Sequence, residues 1–149
     1  MTHWLIGSDT LGFVSPVDHT IRLTGNFMEI RPNHFHSGID IKSSKGVSGD
    51  VIRAAHEGYV SRIRITSGSY GNALYIDHPN GYTTVYAHLS SFSPEVSRYL
   101  KDIQYVSQSF EVDVYLPDSI LTVSKSEKIG TMSNTGRSFG PHLHFELRK

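Results

Sequence analysis

The sequence has no cysteine, no excess of charge of either sign and no long apolar run. Without cysteine, the chain can form neither a disulfide nor a thiolate metal site. Its fourteen basic residues balance fourteen acidic ones, which argues against a nucleic-acid partner because that kind of binding needs a basic face. The longest apolar run near the start, Trp4-Leu5-Ile6, is far too short for a signal peptide or a membrane span.

The residues that are present favour a single, turn-rich β domain. The length of 149 residues suits one domain with a buried core. Apolar residues make up 38% of the chain, together with thirteen glycines and eight tyrosines, which is typical of β proteins rather than helical bundles. Nine histidines are unusual for this length, and they cluster around glycines and in strand-like segments.

The clearest local prediction is a β-hairpin. Asn80-Gly81 tolerates the positive φ angles of a tight turn, and it joins the predicted strands Ala73–His78 and Tyr82–Leu89. A loop that runs into a short strand is predicted over 31–40. Further strands are predicted over 21–23, 51–66 (two strands joined or bent at Gly58), 110–116, 128–133 and 142–147.

One helix interrupts the β pattern over residues 93–106. Ser93 is a suitable N-cap, and Pro94 suits the first helical position. Apolar residues then recur with helical spacing along one face. They are Val96, Tyr99, Leu100 and Ile103.

The strand pattern over 142–147 places two histidines together. In a strand, alternate side chains share a face, so His142, His144 and Glu146 lie on one side and the apolar residues between them lie on the other. The two imidazoles are then about 7 Å apart. From this pattern alone, a solvent-exposed polar face is as good an interpretation as a functional site.

Two further segments carry residue types that suit a metal site. In His36-x-x-x-Asp40, an imidazole and a carboxylate are spaced so that the compact Ser37-Gly38 between them allows both to converge on one zinc ion. His88 lies in a predicted strand with Tyr86 on the same face. Each of these is weak alone, because such pairs and lone strand histidines are common. His56-Glu57 does not begin a His-Glu-x-x-His zinc motif, since position 60 is valine.

Taken together, these segments resemble the lysostaphin/LytM-type zinc endopeptidases, which are peptidoglycan hydrolases. The resemblance covers roughly residues 20–149 and rests on four motifs that occur in the family's order. They are His36-Ser-Gly-Ile-Asp40, Gly71-Asn72 leading to Ile76-Asp77-His78, Tyr86-Ala87-His88-Leu89-Ser90, and Gly136-Arg-Ser-Phe-Gly140-Pro141-His142-Leu143-His144-Phe145-Glu146.

The resemblance implies a role for five residues. His36, Asp40 and His144 match the family's metal ligands, which implies one Zn²⁺ per chain and an open fourth position for water. His88 and His142 match the catalytic pair, although the sequence does not say which of them acts as general base. No nucleotide or redox cofactor is implied.

The resemblance also implies a fold, and two departures from the family pattern bear on it. We expect an antiparallel β-sheet or barrel-like domain of the LytM (duplicated hybrid motif) type over 20–149, after a lead-in over 1–19. An insertion at about 92–120 is either a peripheral addition or a wall of the substrate groove. Some members place a tyrosine shortly before the first metal histidine, where this chain has none. Tyr70 and Tyr86 are candidates for that role, and Asn33 and His34 are not expected to be ligands.

The activity implied by the resemblance is hydrolysis of amide bonds in peptidoglycan cross-link or stem peptides. Two alternatives remain open: a non-catalytic peptidoglycan-binding or regulatory module of the same fold, and a zinc peptidase that acts on proteins. A peptidoglycan substrate implies an extracytoplasmic location (periplasm, cell envelope or secreted), so we infer a removed leader, since this chain has no signal peptide. The chain ends at Lys149, soon after the site strand, which leaves room for further sequence in the natural protein.

Overall fold

The computed structural model describes residues 11–149. Within this range the chain forms eleven strands and one helix. They are β1 (Leu23–Gly25), β2 (Ile39–Lys42), β3 (Val51–Arg53), β4 (Gly58–Ile65), β5 (Asn72–Asp77), β6 (Thr83–Ala87), β7 (Leu89–Phe92), α1 (Pro94–Ser107), β8 (Val112–Tyr115), β9 (Thr122–Val123), β10 (Lys128–Met132) and β11 (His142–Arg148).

The strands form two antiparallel sheets. The larger sheet has eight strands in the order β1-β2-β11-β6-β5-β4-β8, with β9 also paired to β4. The smaller sheet has three strands in the order β3-β10-β7. The predicted mainly antiparallel β fold with one helix is therefore confirmed, but as two open sheets, since neither closes into a barrel within residues 11–149.

The main hydrophobic core lies where the two sheets meet. It contains Ile41, Tyr86 and Leu143 from the eight-stranded sheet together with Ile52 and Met132 from the three-stranded sheet. Because side chains alternate along a strand, the neighbours of these core residues point to the opposite face of the larger sheet. That second face, which carries a smaller buried cluster on β5 and β6, is the face on which the candidate site is built.

The predicted hairpin and helix are both confirmed. Strands β5 and β6 pair with Asp77 opposite Thr83, and Gly81 in the turn has φ of 81°. Helix α1 begins at Pro94, and the side chain of Ser93 accepts a hydrogen bond from the backbone N–H of Val96. The predicted apolar stripe packs on the core, with Val96 and Leu100 buried in it and Tyr99 and Ile103 against it.

The predicted lead-in and insertion each contribute to the structure. Residues 1–10 of the lead-in lie outside the described residues, whereas Val17 is buried in the core and pairs with Ile52 of β3. Within the predicted insertion, β8 extends the larger sheet by pairing with β4. The domain boundaries themselves stay predictions. Over residues 11–149, no helix has the length and apolarity needed to cross a bilayer.

The hydroxyl of Tyr86 belongs to a buried hydrogen-bond chain that connects strand β6 to the loops on either side of β4 and β5. It accepts a hydrogen bond from the backbone N–H of Ala55 (2.8 Å) and bonds to the hydroxyl of Thr84 (3.0 Å). Thr84 in turn bonds to Nε2 of His78 (2.7 Å), whose Nδ1 donates to the carbonyl of Glu57 (2.7 Å). His78 is therefore a satisfied core histidine.

Replacing this tyrosine tests the importance of the chain of bonds. Tyr86→Phe keeps the ring but leaves the buried N–H of Ala55 without its acceptor, so we expect a loss of about 1–3 kcal/mol in the free energy of unfolding. Urea denaturation measures it. The control is Tyr105→Phe, because Tyr105 is 83% exposed, and its effect should stay within about 0.5 kcal/mol. Equal stability of the two variants would contradict a structural role for this hydroxyl.

Candidate metal centre

Strand pairing places Asp40 and His144 side by side. Strands β2 and β11 are antiparallel, and their register sets Asp40 directly opposite His144, so both side chains point to the same face of the sheet. On the other side of β11, His144 lies opposite Ala87, whose side chain is only a methyl group. His36, four residues before Asp40, reaches the same point from the preceding loop. All three predicted ligands are thus brought together.

Three donor atoms form a small and nearly equilateral triangle. Nε2 of His36, Oδ1 of Asp40 and Nδ1 of His144 are each 3.0 Å from the other two. All three side chains are buried, with residue exposures of 5%, 8% and 4% respectively. Within residues 11–149, this is the one group of histidine, aspartate or glutamate side chains close enough together to hold a metal ion.

Hydrogen bonds on the outer side of each imidazole direct its lone pair inward. Nδ1 of His36 is 2.7 Å from the carbonyl oxygen of Asn26, and Nε2 of His144 is 2.8 Å from a carboxylate oxygen of Glu146. A carbonyl and an ionised carboxylate can only accept, so these ring nitrogens carry the protons. In the neutral imidazoles, Nε2 of His36 and Nδ1 of His144 are therefore both acceptors, and they face the oxygen of Asp40.

Three acceptors at this distance need a cation between them. Burial alone would raise the pKa of Asp40, but its hydrogen bond with His144 and the nearby charges of His142, His36 and His144 lower it to about 2. Burial likewise opposes charge on His144, yet its hydrogen bonds with Asp40 and Glu146 raise its pKa above the ordinary value. Without a metal, a shared proton is the cation that this arrangement favours.

The donor set also fits zinc. Zinc in proteins is held by imidazole nitrogen and carboxylate oxygen at about 2.0–2.2 Å in a tetrahedral arrangement, which puts neighbouring donors about 3.3–3.5 Å apart. The observed 3.0 Å separations need to open by only a few tenths of an ångström. Three protein donors leave one tetrahedral position for water, which is the pattern of a catalytic rather than a structural zinc site.

Glu146 is the buried partner that orients His144. It is 1% exposed, and its carboxylate accepts hydrogen bonds from His144, from Ser37 Oγ (2.7 Å), from the hydroxyl of Tyr70 and from Nε of Arg148. Burial would raise the pKa of Glu146, but these donors together hold it well below its usual range. A carboxylate behind a ligating histidine fixes the ring and increases its basicity. The sequence pattern put Glu146 on the right face but gave no sign of this role.

The structure explains why serine and glycine occupy positions 37 and 38, between His36 and Asp40. Ser37 donates to Glu146, and Gly38 lets the loop approach β11 closely. A Cβ atom at position 38 would lie only 2.8 Å from Cγ of Glu146 and would overlap the carbonyl oxygen of Phe145. A larger residue at position 38 would therefore push His36 away from its partners.

The two remaining predicted site histidines lie beside the triangle. Nδ1 of His142 bonds to the carbonyl of Gly140 (2.9 Å), and its Nε2 is 3.5 Å from Oδ1 of Asp40. Nδ1 of His88 bonds to the carbonyl of Thr135 (2.7 Å). The ring centroids of His88 and His142 are 4.6 Å apart. In both neutral rings, Nε2 is therefore the atom with a lone pair available for chemistry.

His88 reaches the site through an unusual backbone conformation, and here one prediction was wrong. The predicted strand Tyr82–Leu89 forms only over Thr83–Ala87, as β6. Tyr86 and His88 do not share a face as predicted, because His88 lies beyond the strand with φ of 61°. Strand alternation would have pointed His88 into the core beside Tyr86. The left-handed residue, which is costly for a non-glycine side chain, turns the imidazole to the site face instead.

Of the two candidate tyrosines, only Tyr70 lies at the site. Tyr86 is fully buried with its hydroxyl at Ala55, so it is not part of the site. Tyr70 does lie there: its ring centroid is 4.9 Å from that of His144, and its hydroxyl donates to Glu146. Burial, followed by the hydrogen bond with Glu146, raises the pKa of Tyr70 to about 12, so Tyr70 keeps its proton near neutral pH.

Residues 26–36 fold back as a short hairpin beside the donor triangle. Ile30 and Phe35 form a β-bridge, and the N–H of Arg31 donates to the carbonyl of His34. Asn33 and His34 are exposed at the end of this hairpin and contribute no atom to the donor triangle. Arg31, which the sequence did not single out, reaches the site.

The fold and the site together define a class of protein. A domain of two open antiparallel sheets carries a buried His–Asp–His group that could hold a metal ion, and two further histidines flank it. Residues 34–112 match peptidase family M23, and since the match spans more than half of the chain, the chain belongs to this family. The inferred resemblance to lysostaphin/LytM-type peptidases is thereby confirmed.

Individual relatives agree with this assignment. The chain is 34% identical over 133 residues to the DD-carboxypeptidase/endopeptidase Mpg of Neisseria meningitidis, covering 89% of this chain and 22% of that protein. It is 32% identical over 139 residues to the peptidoglycan DD-endopeptidase ShyC of Vibrio cholerae, covering 89% and 26%. The chain thus spans only about a quarter or less of these relatives.

One solved structure with the same fold is named as a peptidase. The crystal structure of a zinc-containing peptidase from Vibrio cholerae superimposes with a TM-score of 0.62 at 26% sequence identity, covering 89% of this chain and 35% of that one.

The role of Glu146 can be tested through metal affinity. Glu146→Gln keeps the shape but removes the negative charge behind His144, so we expect zinc affinity to fall about 10–100-fold. Titration against a competing chelator measures it. Glu95→Gln is the matched control, because Glu95 is exposed on α1, and it should bind zinc like the wild type. Unchanged affinity in Glu146→Gln would contradict the proposed influence on His144.

Proposed function

We propose that this chain is a zinc-dependent endopeptidase that hydrolyses amide bonds in the cross-link or stem peptides of peptidoglycan. In this proposal His36, Asp40 and His144 hold one zinc ion, and His88 and His142 are the catalytic residues. The observation that carries it is the triangle of inward-facing acceptor atoms 3.0 Å apart. A merely structural cluster of buried polar groups would pair donors with acceptors rather than set three acceptors against each other.

The chemistry that zinc supplies when bound is that of a Lewis acid, which lowers the pKa of a water molecule towards about 7. The protein has to add groups that accept and return protons beside it. Burial, followed by the charge of His142, lowers the pKa of His88 to about 4. His88 is thus a neutral imidazole near neutral pH, with its Nε2 lone pair ready to accept a proton.

His142 is placed to work together with His88. The bond from its Nδ1 to Gly140 fixes the tautomer, and Nε2 lies next to the carboxylate of Asp40. Two imidazoles at one site can divide the work between them, one taking a proton from the attacking water and the other giving one to the leaving amine. A histidine that becomes protonated here also stabilises negative charge that develops on the carbonyl oxygen.

The substrate assignment rests on the relatives. The two relatives described above are named as peptidases of the DD type, and one of them is named for peptidoglycan. The family motifs in this chain are intact at all five site positions. A peptidoglycan substrate in turn supports a site of action outside the cytoplasm.

Metal binding is the first test. Elemental analysis should find about one zinc per chain in the wild type, and Asp40→Ala should lose most of it, because the two remaining histidines make an incomplete site. The control is His19→Ala, since His19 pairs with Asp50 in a different part of the chain. Full zinc content in Asp40→Ala would contradict the ligand assignment.

Hydrolysis is the second test, in a gel that contains purified cell wall. Wild type and His19→Ala should clear the gel, whereas His88→Ala and His142→Ala should bind zinc but leave the gel opaque. A wild-type protein that binds cell wall without clearing it would instead indicate a non-catalytic module. Cleavage of a protein substrate with no clearing would indicate a peptidase that acts on proteins. Mass spectrometry of the released muropeptides then identifies the bond that is cut.

A further inference from the structure

The two oxygens of Asp40 have different partners. Oδ1 belongs to the donor triangle, 3.0 Å from both His36 and His144. Oδ2 accepts a hydrogen bond from Nη2 of Arg31, also at 3.0 Å. When an arginine donates a hydrogen bond to one oxygen of a carboxylate, only the other oxygen is left to bind a metal ion.

Arg31 is held in place by other residues of the 26–36 hairpin. Its Nη2 also donates to Oε2 of Glu29 (3.0 Å), and that same oxygen accepts the backbone N–H of Asn26 (3.3 Å). The carbonyl of Asn26 in turn accepts from His36. Two residues of the hairpin therefore contact proposed ligands. The backbone carbonyl of Asn26 contacts His36, and the side chain of Arg31 contacts Asp40.

The backbone at Gly25 is shaped around this contact. A Cβ atom at position 25 would overlap Oδ2 of Asp40 and would lie 2.7 Å from Nη2 of Arg31. Only glycine lets β1 run this close to the Asp40–Arg31 pair. In addition, Nε of Arg31 is buried with no hydrogen-bond partner among residues 11–149, which costs free energy that an arginine in solvent would not incur.

Arg31 forms ion pairs with the carboxylates of Glu29 and Asp40. Its guanidinium also repels a metal ion bound to the other oxygen of Asp40, so tighter metal binding is not what this contact provides. Carboxylates bind metal ions through one oxygen or through both. If Asp40 used both, the second oxygen would occupy the position that a catalytic zinc site keeps for water.

We propose that Arg31 is a positioning residue that keeps Asp40 a one-oxygen ligand and so keeps the fourth metal position open. The proposal rests on the proposed metal site. In this role Arg31 determines how many oxygen atoms of Asp40 bind the metal, and it does not increase the affinity for the metal.

The test uses cobalt(II) in place of zinc, because its visible absorption is intense in four-coordinate sites and weak in sites of higher coordination. Arg31→Met removes the hydrogen bond to Oδ2. We expect this variant to bind one cobalt ion per chain at least as tightly as the wild type, to lose the intense bands and to lose peptidase activity about 10–100-fold. Arg31→Lys retains one donor and should retain the bands.

Two further variants complete the experiment. Arg53→Met is the matched control, because Arg53 makes a comparable pair with the exposed Asp18, and its spectrum and activity should match the wild type. Arg31→Ala repeats the measurement if Arg31→Met does not fold.

Each remaining outcome overturns a distinct claim. Wild-type bands in Arg31→Met and Arg31→Ala, loss of the metal from them, or a wild type without the intense bands would each overturn the role of Arg31. A wild-type protein that takes up no cobalt would overturn the metal site of the proposed function itself.

Discussion

The three acceptor atoms of His36, Asp40 and His144 lie closer together than uncompensated lone pairs favour, and much of the structure around them serves to keep them there. The register of β2 with β11 sets Asp40 opposite His144. Gly38 allows the loop to approach β11, and the hairpin before it holds His36. The fold thus holds these atoms in an arrangement that becomes favourable only when a cation lies between them. Such a site couples folding to the binding of the cation.

The orientation of the imidazoles is controlled from outside the site. Each of the four site histidines uses one ring nitrogen to donate to a carbonyl or carboxylate: Asn26 for His36, Thr135 for His88, Gly140 for His142 and Glu146 for His144. Three of these acceptors belong to loops rather than to the sheet. The sheet therefore sets the positions of His142 and His144, whereas loop carbonyls determine which ring nitrogen of His36, His88 and His142 carries the proton. Such outer partners commonly matter nearly as much as the ligands themselves.

The parts of this structure that the sequence predicted are those encoded locally. The hairpin at Asn80-Gly81, the helix that begins at Pro94 and the alternation along β11 depend on neighbours a few residues apart. The contact between Asp40 and His144 joins residues 104 positions apart, and no periodicity encodes it, so only the family resemblance could predict it. The partners of Glu146 were missed for the same reason, since Ser37 and Tyr70 come from separate loops. The backbone turn at His88 was missed because it breaks the alternation on which the prediction depended.

That turn at His88 also marks where the chain leaves one sheet for the other. Strand β6 before it belongs to the eight-stranded sheet, and β7 after it belongs to the three-stranded sheet, whereas Asp40, His142 and His144 are all in the larger sheet. His88 is nevertheless tied to the larger sheet by backbone hydrogen bonds, since its carbonyl accepts from the N–H of Ser133, whose own carbonyl accepts from the N–H of His142. The crossing between the sheets is thus also the point that joins His88 to His142. The relative position of these two histidines depends on that junction rather than on the length of either strand.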